Sequence, residues 1–174
     1  MSIVKSNINW YAIHTKPNAE KKVRDRLSLI DFEVYLPLIT NIREWSDRKK
    51  KINTPLISTF VFVRIDESKV YDSLKVQGTM GVLKFLGKPA IIKEQEIENL
   101  KILMKDTTEV SQIESIDYEK GEDVLVTKGP FMGLVAQSVV IKGKRRIIVT
   151  IEALSSIMEV NLPLSFVVKA SKKQ

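Results

Sequence analysis

The apolar run Phe60-Val-Phe-Val-Arg-Ile65 restricts the possible folds more than any other segment of this chain. Five of its six residues are apolar, and a strand of that composition needs cover on both of its faces. A helical pattern begins at Asn18, which we interpret as an N-cap, and one face of it carries Ala19, Val23, Leu27 and Ile30. The run therefore predicts a central strand in a layered domain that contains helices.

The remaining elements of this domain follow from changes in the hydrophobic period. Further strands are predicted at 9–15, 32–45, 52–65 and 81–86. A short helix is predicted after Asp66, and a last helix is marked by the spacing of Ile97, Leu100 and Met104. The order strand–helix–strand–strand–helix–strand–helix predicts an α+β domain in which helices flank an antiparallel sheet.

The rest of the chain divides into a polar stretch and a second module. Residues 105–118 show neither period and carry one basic and four acidic groups, so we interpret them as a linker. Residues 119–174 contain roughly five short strands separated by turn signals, which predicts a small closed β-barrel without exposed edges. The predicted division is thus 1–104, 105–118 and 119–174.

The reactive side chains argue against catalysis. The chain has no cysteine and one histidine, His14, so thiolate chemistry and a histidine metal cluster are excluded. The segment from Gly81 to Lys88 is superficially similar to a phosphate loop, but its glycines are one residue too far apart and Pro89 stands where a hydroxyl is needed. We predict a protein that is not an enzyme and that needs no cofactor or metal.

The apolar stretches are too short to cross a membrane. No stretch approaches the roughly 18 apolar residues of a membrane helix, and the first residues lack the apolar core of a signal peptide. We therefore expect a cytoplasmic location.

A basic segment separates the two middle strands. Arg43, Arg48 and the lysines 49–51 outweigh Glu44 and Asp47, which leaves a local charge of +3 at a hairpin tip. Such a tip suits sequence-independent contact with phosphates. A solvated turn whose lysines protect a sheet edge explains the same residues, and the charge alone does not decide between the two.

The segment Pro55–Val63 contains more apolar residues than a small core readily uses. A surface groove lined by Trp10, Ile57 and Phe60 could receive an amphipathic helix of a partner. The alternative is that these residues are core.

Four motifs together resemble the NusG/RfaH family of transcription elongation factors along nearly the whole chain. Trp10-Tyr11-Ala-Ile before a basic helix is similar to the start of the family's N-terminal NGN domain. Pro55-Leu-Ile-Ser-Thr-Phe-Val-Phe-Val63 matches the family's Pro-Leu-Phe-Pro-Gly-Tyr-Val-Phe-Val strand, and Gly81–Gly87 with Pro89-Ala-Ile matches a later strand. Residues 121–134 resemble the start of a KOW module, an SH3-like β-barrel.

The resemblance implies an adaptor that binds the clamp helices of the largest RNA polymerase subunit and suppresses pausing and termination. It places Trp10, Tyr11, Ile57 and Phe60 at the polymerase and the helix start around Glu67 to Val70 towards the opposite pincer. It implies contacts with non-template or upstream DNA from these residues: Lys16, Lys22, Arg26, Arg48, Lys49, Lys50, Lys51, Thr79 and Met80. Leu154 occupies the position at which a KOW module contacts a termination factor or the small-subunit ribosomal protein also called NusE. A monomer is expected.

Three departures from the family pattern favour a specialised RfaH- or UpxY-like antiterminator. Ile57-Ser-Thr-Phe60 replaces Phe-Pro-Gly-Tyr, Leu154 replaces an aromatic residue, and Ala136 replaces a common glycine. Two alternatives stay open, namely a general NusG-type factor and a KOW-containing RNA-binding or ribosome-associated protein.

Overall fold

A computed structural model describes residues 7–44, 49–113 and 121–170. The chain forms two compact units, Met1–Glu94 and Gln95–Gln174. Within the described residues, no helix combines the length and the apolar composition needed to cross a membrane. The predicted α+β class is confirmed, with helices and antiparallel strands in the first unit and a mostly β second unit.

The N-terminal unit is built on an antiparallel sheet with the order β2-β5-β1-β6, and β9 also pairs with β1. Two hairpins, β3-β4 and β7-β8, form separate two-stranded sheets. The strands are β1 (Ile8–Thr15), β2 (Glu33–Tyr35), β3 (Leu38–Glu44), β4 (Lys49–Pro55), β5 (Phe60–Asp66), β6 (Thr79–Val82), β7 (Lys84–Phe85), β8 (Lys88–Pro89) and β9 (Ile91–Ile92).

The central position of β5 agrees with its apolar sequence. Val61, Phe62 and Val63 are fully buried although they point to alternating faces. One face packs on helix α1 (Glu20–Ser28) through Val23 and Leu27, which belong to the same core cluster as Val61 and Val63. The inference that this strand is covered on both faces is therefore confirmed.

The two helices near this sheet begin differently. Asn18 does not cap α1, because its φ of 61° is left-handed and the cap position belongs to Ala19, which makes no side-chain cap bond. The prediction of an Asn18 cap was wrong. Asp66 does cap the 3-10 helix Glu67–Lys75, since its side chain accepts a hydrogen bond from the Ser68 N–H.

Both long predicted strands of the middle region are interrupted. The segment 32–45 breaks at Leu36-Pro37, where proline cannot donate to a ladder, and the backbone N–H of Leu56 bonds to the Pro37 carbonyl. The segment 52–65 breaks at residues 56–59, and Thr59 there has a φ of 64°.

The turn at Thr59 is held by long-range hydrogen bonds. The Thr59 N–H donates to Oε1 of the buried Glu20 at 2.8 Å, and the Thr59 carbonyl accepts from the Thr15 N–H at 2.8 Å. A β-branched residue with positive φ is strained. The surrounding bonds therefore impose a conformation that suits glycine, the residue that the family motif carries at this place.

Thr59→Gly is expected to stabilise the N-terminal unit by about 1 kcal/mol, because the relief of left-handed strain outweighs the added freedom of the unfolded chain. Urea denaturation of the full chain measures it. Asn18→Gly is the matched control, since Asn tolerates positive φ and little should change. A destabilised Thr59→Gly variant would contradict this explanation of the turn.

In its described residues, the C-terminal unit contains one α-helix, three short 3-10 helices and a six-stranded antiparallel sheet of order β10-β14-β13-β12-β11-β15. Its strands are β10 (Val110–Ile113), β11 (Glu122–Val126), β12 (Val135–Ile141), β13 (Lys144–Ile151), β14 (Ser156–Val160) and β15 (Val167–Lys169). Strand β10 lies inside the segment that the sequence assigned to a linker, and it pairs with β14. The predicted domain bounds remain a prediction.

Helix α2 (Glu94–Leu103) is tied to this second sheet by two buried polar side chains. The Asn99 amide donates to the Val135 carbonyl at 2.7 Å and accepts from the Val135 N–H at 3.2 Å. Oε1 of Glu96 accepts from the Glu152 N–H at 2.9 Å. The compact C-terminal unit therefore includes most of a helix that the sequence placed in the first domain.

Candidate functional site

One face of the N-terminal sheet is rich in aromatic side chains. Strand alternation puts Trp10 and His14 of β1 on the same face as their cross-strand neighbours Arg64 and Phe60 of β5. The rings of His14 and Phe60 lie 5.1 Å apart, measured between centroids. We call Trp10, His14, Phe60 and Phe62 the aromatic face.

Access to the aromatic face differs strongly among the predicted residues. Trp10 is 2% exposed, and its Nε1–H donates to Glu94 Oε2 at 3.0 Å. Ile57 is 5% exposed, whereas Phe60 and His14 are half-buried. Of the residues that the sequence assigned to a partner groove, only Phe60 presents substantial surface in this structure.

Tyr11 lies on the opposite face from Trp10. It is fully buried in the core cluster with Val23, Leu27 and Val63, and this burial raises the pKa of its phenol above the ordinary value. The sequence-based placement of Tyr11 on a partner-facing surface is thus corrected, because successive strand residues point to opposite faces.

His14 is a surface residue that the sequence interpretation missed. The lone histidine was considered only as a possible metal ligand, yet its half-buried ring packs against Phe60 at the accessible part of the aromatic face. The period of two in β1 could have identified it, since His14 is four residues from Trp10.

A second candidate surface forms where α1 approaches the start of β6. The Lys16 N–H donates to the Gly78 carbonyl at 2.9 Å, and Arg26 Nη1 donates to the Gln77 carbonyl at 2.6 Å. Thr79 pairs with Thr15, next to Lys16. The structure therefore brings Lys16, Arg26 and Thr79 together from three separate sequence segments.

The other two residues predicted for this surface are exposed beside it. Met80 follows Thr79 and is 60% exposed, and Lys22 lies one turn before Arg26 on α1. The Thr79 hydroxyl donates to the carbonyls of Leu74 and Val76, which fixes its side chain. We call Lys16, Lys22, Arg26, Thr79 and Met80 the basic surface.

Gly78 permits this close approach. Its φ is 103°, and a Cβ there would lie 2.9 Å from Val23 Cγ2. Any larger residue would strain the backbone and push α1 away from β6, so this glycine sets the spacing of the basic surface.

The basic hairpin is formed by β3 and β4, with Glu44 opposite Lys49 and Ile42 opposite Lys51. Strand β4 begins at Lys49, so lysines that the sequence placed at the tip are strand residues. Lys49 and Lys51 are exposed, and Lys50 is paired through its backbone with Arg43. Arg48 lies outside the described residues. Lys21 Nζ donates to the Asn53 carbonyl at 2.5 Å and ties α1 to this hairpin.

In the C-terminal unit, Leu154 ends a short 3-10 helix, Glu152–Leu154, and is half-buried. Ser155 then turns the chain with a φ of 50°. The Glu152 N–H is the group held by Glu96 of α2, so the predicted partner-contact turn is anchored at its first residue.

Among the described residues, no group of three or more histidine, aspartate or glutamate side chains lies close enough to hold a metal ion.

Comparison with known proteins gives one family match. The family described as transcription termination factor nusG matches residues 8–101, which is more than half of the chain. The transcription termination/antitermination protein NusG of Thermus thermophilus is 28% identical over 94% of this chain and 100% of its own length. The protein of the same description from Rickettsia typhi is 25% identical over 90% of this chain and 89% of its own length. A solved structure of Thermotoga maritima NusG, 20% identical, covers 94% of this chain and 98% of that chain with a TM-score of 0.48.

Proposed function

The chain belongs to the NusG family, and from this premise we propose that it is a general transcription termination/antitermination factor that binds RNA polymerase in the cytoplasm. The match over residues 8–101 carries the proposal, because it spans the aromatic face and the basic surface. The relatives from Thermus thermophilus and Rickettsia typhi, both described as transcription termination/antitermination proteins, support it. These descriptions favour a general factor over the specialised RfaH- or UpxY-like antiterminator.

The aromatic face is the proposed polymerase contact, with Phe60 and His14 as the accessible residues. A half-buried aromatic pair supplies apolar area at small cost in conformational freedom, which suits a helix of a partner such as the clamp helices. Trp10 and Ile57 are both buried, so in this proposal they hold the aromatic face in shape and do not themselves contact the partner.

The basic surface is the proposed contact with single-stranded non-template DNA. Lys16, Lys22 and Arg26 supply cations, and the exposed Met80 supplies an apolar side chain beside them. Cations with neighbouring apolar groups suit a strand whose phosphates and bases are both accessible. The β3-β4 hairpin, with exposed Lys49 and Lys51, is the proposed contact with upstream duplex DNA.

The Leu154 turn is the proposed contact for a protein partner such as NusE. It is a short, half-buried element whose first residue is anchored by Glu96, so it presents Leu154 in a defined position.

Phe60→Glu is expected to weaken binding to core RNA polymerase by about 30-fold, as for the loss of an interface residue worth about 2 kcal/mol. Biolayer interferometry with immobilised full chain measures this. Leu29→Glu is the matched control, because Leu29 is 82% exposed and lies at the end of α1 outside the aromatic face. Equal affinity of the Phe60→Glu variant and the parent would exclude the aromatic face as the polymerase contact.

Mapping the protein on transcribed DNA separates a general from a specialised role. A general factor is expected to occupy most transcribed genes in proportion to polymerase. Occupancy restricted to a few operons would instead support the specialised antiterminator.

A further inference from the structure

The hairpin that joins β12 to β13 ends in an unusual turn. Its two central residues, Lys142 and Gly143, have φ values of 50° and 74°, the pattern of a type I′ turn. Glycine and asparagine favour the first central position, whereas lysine rarely adopts a left-handed conformation. Lys142 is exposed, so burial of its side chain offers no compensation for this conformation.

Three exposed cations surround this turn, namely Lys142, Lys144 and Arg145, which we call the basic tip. Lys144 is paired with Ile141 across the hairpin and Arg145 with Val140. Strand geometry keeps the Cα atoms of all three within roughly 10 Å. The side chains of Lys142 and Lys144 form no hydrogen bond or ion pair within the described part of the chain.

In the described part of the chain, Glu122 is the carboxylate that interacts with the basic tip, and it is already paired with another cation. Glu122 forms an ion pair with Lys169 at 2.9 Å, and this partner, with a smaller contribution from Arg145, holds the pKa of Glu122 below its ordinary value. Among the described residues, Lys142, Lys144, Arg145 and Lys169 together with Glu122 sum to a local charge of +3. Exposed positive charge of this density is suited to a polyanion.

We propose that the basic tip contacts the phosphates of double-helical DNA. Ile141, the residue just before the turn, is 5% exposed, so only the turn projects beyond the sheet. A projection of this length is too short to reach the base edges in a groove of DNA. Contact with phosphates needs no such depth. The choice of DNA rests on the proposed function, in which the β3-β4 hairpin meets upstream DNA, since a second contact on the same chain gains from tethering.

The test is the salt dependence of binding between the full chain and a 30-base-pair DNA duplex, measured by fluorescence anisotropy. Lys142→Ser, Lys144→Ser and Arg145→Ser combined are expected to reduce the slope of log K against log salt by about 2 to 3, at about 0.9 per phosphate contact. At 0.1 M salt the affinity falls by about tenfold or more. A variant that keeps the charge, with Lys142→Arg, Lys144→Arg and Arg145→Lys, should bind as the parent does.

A matched control removes three cations elsewhere in the same unit, with Lys101→Ser, Lys105→Ser and Lys128→Ser. An equal loss of DNA affinity in this control would show that the effect comes from net charge alone, and it would overturn the proposal. An unchanged salt slope in the tip variant would also overturn it. A loss confined to double-stranded RNA, with DNA binding intact, would also overturn it.

Repeating the series with Lys49→Ser and Lys51→Ser separates this inference from the proposed DNA contact of the N-terminal unit. If the Lys49→Ser and Lys51→Ser variant binds DNA as the parent does, the loss of DNA affinity in the tip variant still supports the basic tip as a contact. If both contribute, the two reductions in slope should add.

Discussion

Gly121→Ala is expected to unfold the C-terminal unit. A Cβ at this position would lie 1.8 Å from the carbonyl oxygen of Ser138 and 2.6 Å from its carbonyl carbon. Ser138 cannot retreat, because it lies in β12 between Glu122 of β11 and Ile147 of β13. Overpacking against backbone fixed on both sides should cost at least about 3 kcal/mol.

Denaturation of the full chain followed by two probes measures this effect. Both tryptophans, Trp10 and Trp45, lie within the sequence range of the N-terminal unit, and Trp45 is outside the described residues. The buried Trp10 makes fluorescence a report on that unit, while circular dichroism reports both units. The variant should lose part of its dichroism before the fluorescence changes. Gly81→Ala is the control, because nothing lies within 4 Å of the Cβ it would add. A single transition in which both probes move together would show that the two units do not unfold separately.

Local pattern was sufficient to predict most elements of the first unit. The aromatic and β-branched composition of β1, the apolar run in β5 and the helical spacing of α1 are each properties of neighbouring residues, and each of these elements appears in the structure. The break at residues 56–59 could not be predicted in the same way. It depends on Glu20, which lies 39 residues from Thr59 and holds the turn through one hydrogen bond.

The sheet that helix α2 joins could not be predicted from sequence patterns for a related reason. Helix α2 has an ordinary amphipathic pattern, and nothing in it indicates which sheet it joins. The bonds of Asn99 to Val135 and of Glu96 to Glu152 span 36 and 56 residues. The sequence of strand β10 likewise shows no strand pattern, and it is a strand because it pairs with the distant β14.

The sequence predicted which residues belong to the candidate surfaces, but it predicted only in part which of their side chains are exposed. Lys16, Arg26 and Thr79 do lie together, through the contacts of Gln77 and Gly78. The family resemblance assigned both Trp10 and Tyr11 to the polymerase contact. The alternation of side chains along a strand, taken alone, assigns these two neighbours to opposite faces of the sheet. The burial of Trp10 depends in part on Glu94, 84 residues away.

Trp10→Ala is expected to destabilise the N-terminal unit by about 3 to 5 kcal/mol, the cost of removing a large buried aromatic side chain. Trp10 is 2% exposed, lies in the central strand β1 and donates a hydrogen bond to Glu94. Urea denaturation followed by circular dichroism measures the loss. Phe60→Ala should cost less, since Phe60 is half-buried and leaves a smaller void.

Trp10→Phe separates a supporting role of Trp10 from direct contact with polymerase. This variant keeps an aromatic ring and loses the bond to Glu94, which should cost about 1 kcal/mol in stability. If Trp10 supports the aromatic face from below, Trp10→Phe should bind core polymerase within about twofold of the parent, well short of the loss expected for an interface residue. A large loss of affinity at unchanged stability would mean that Trp10 becomes accessible to polymerase, and that the aromatic face opens when the partner binds.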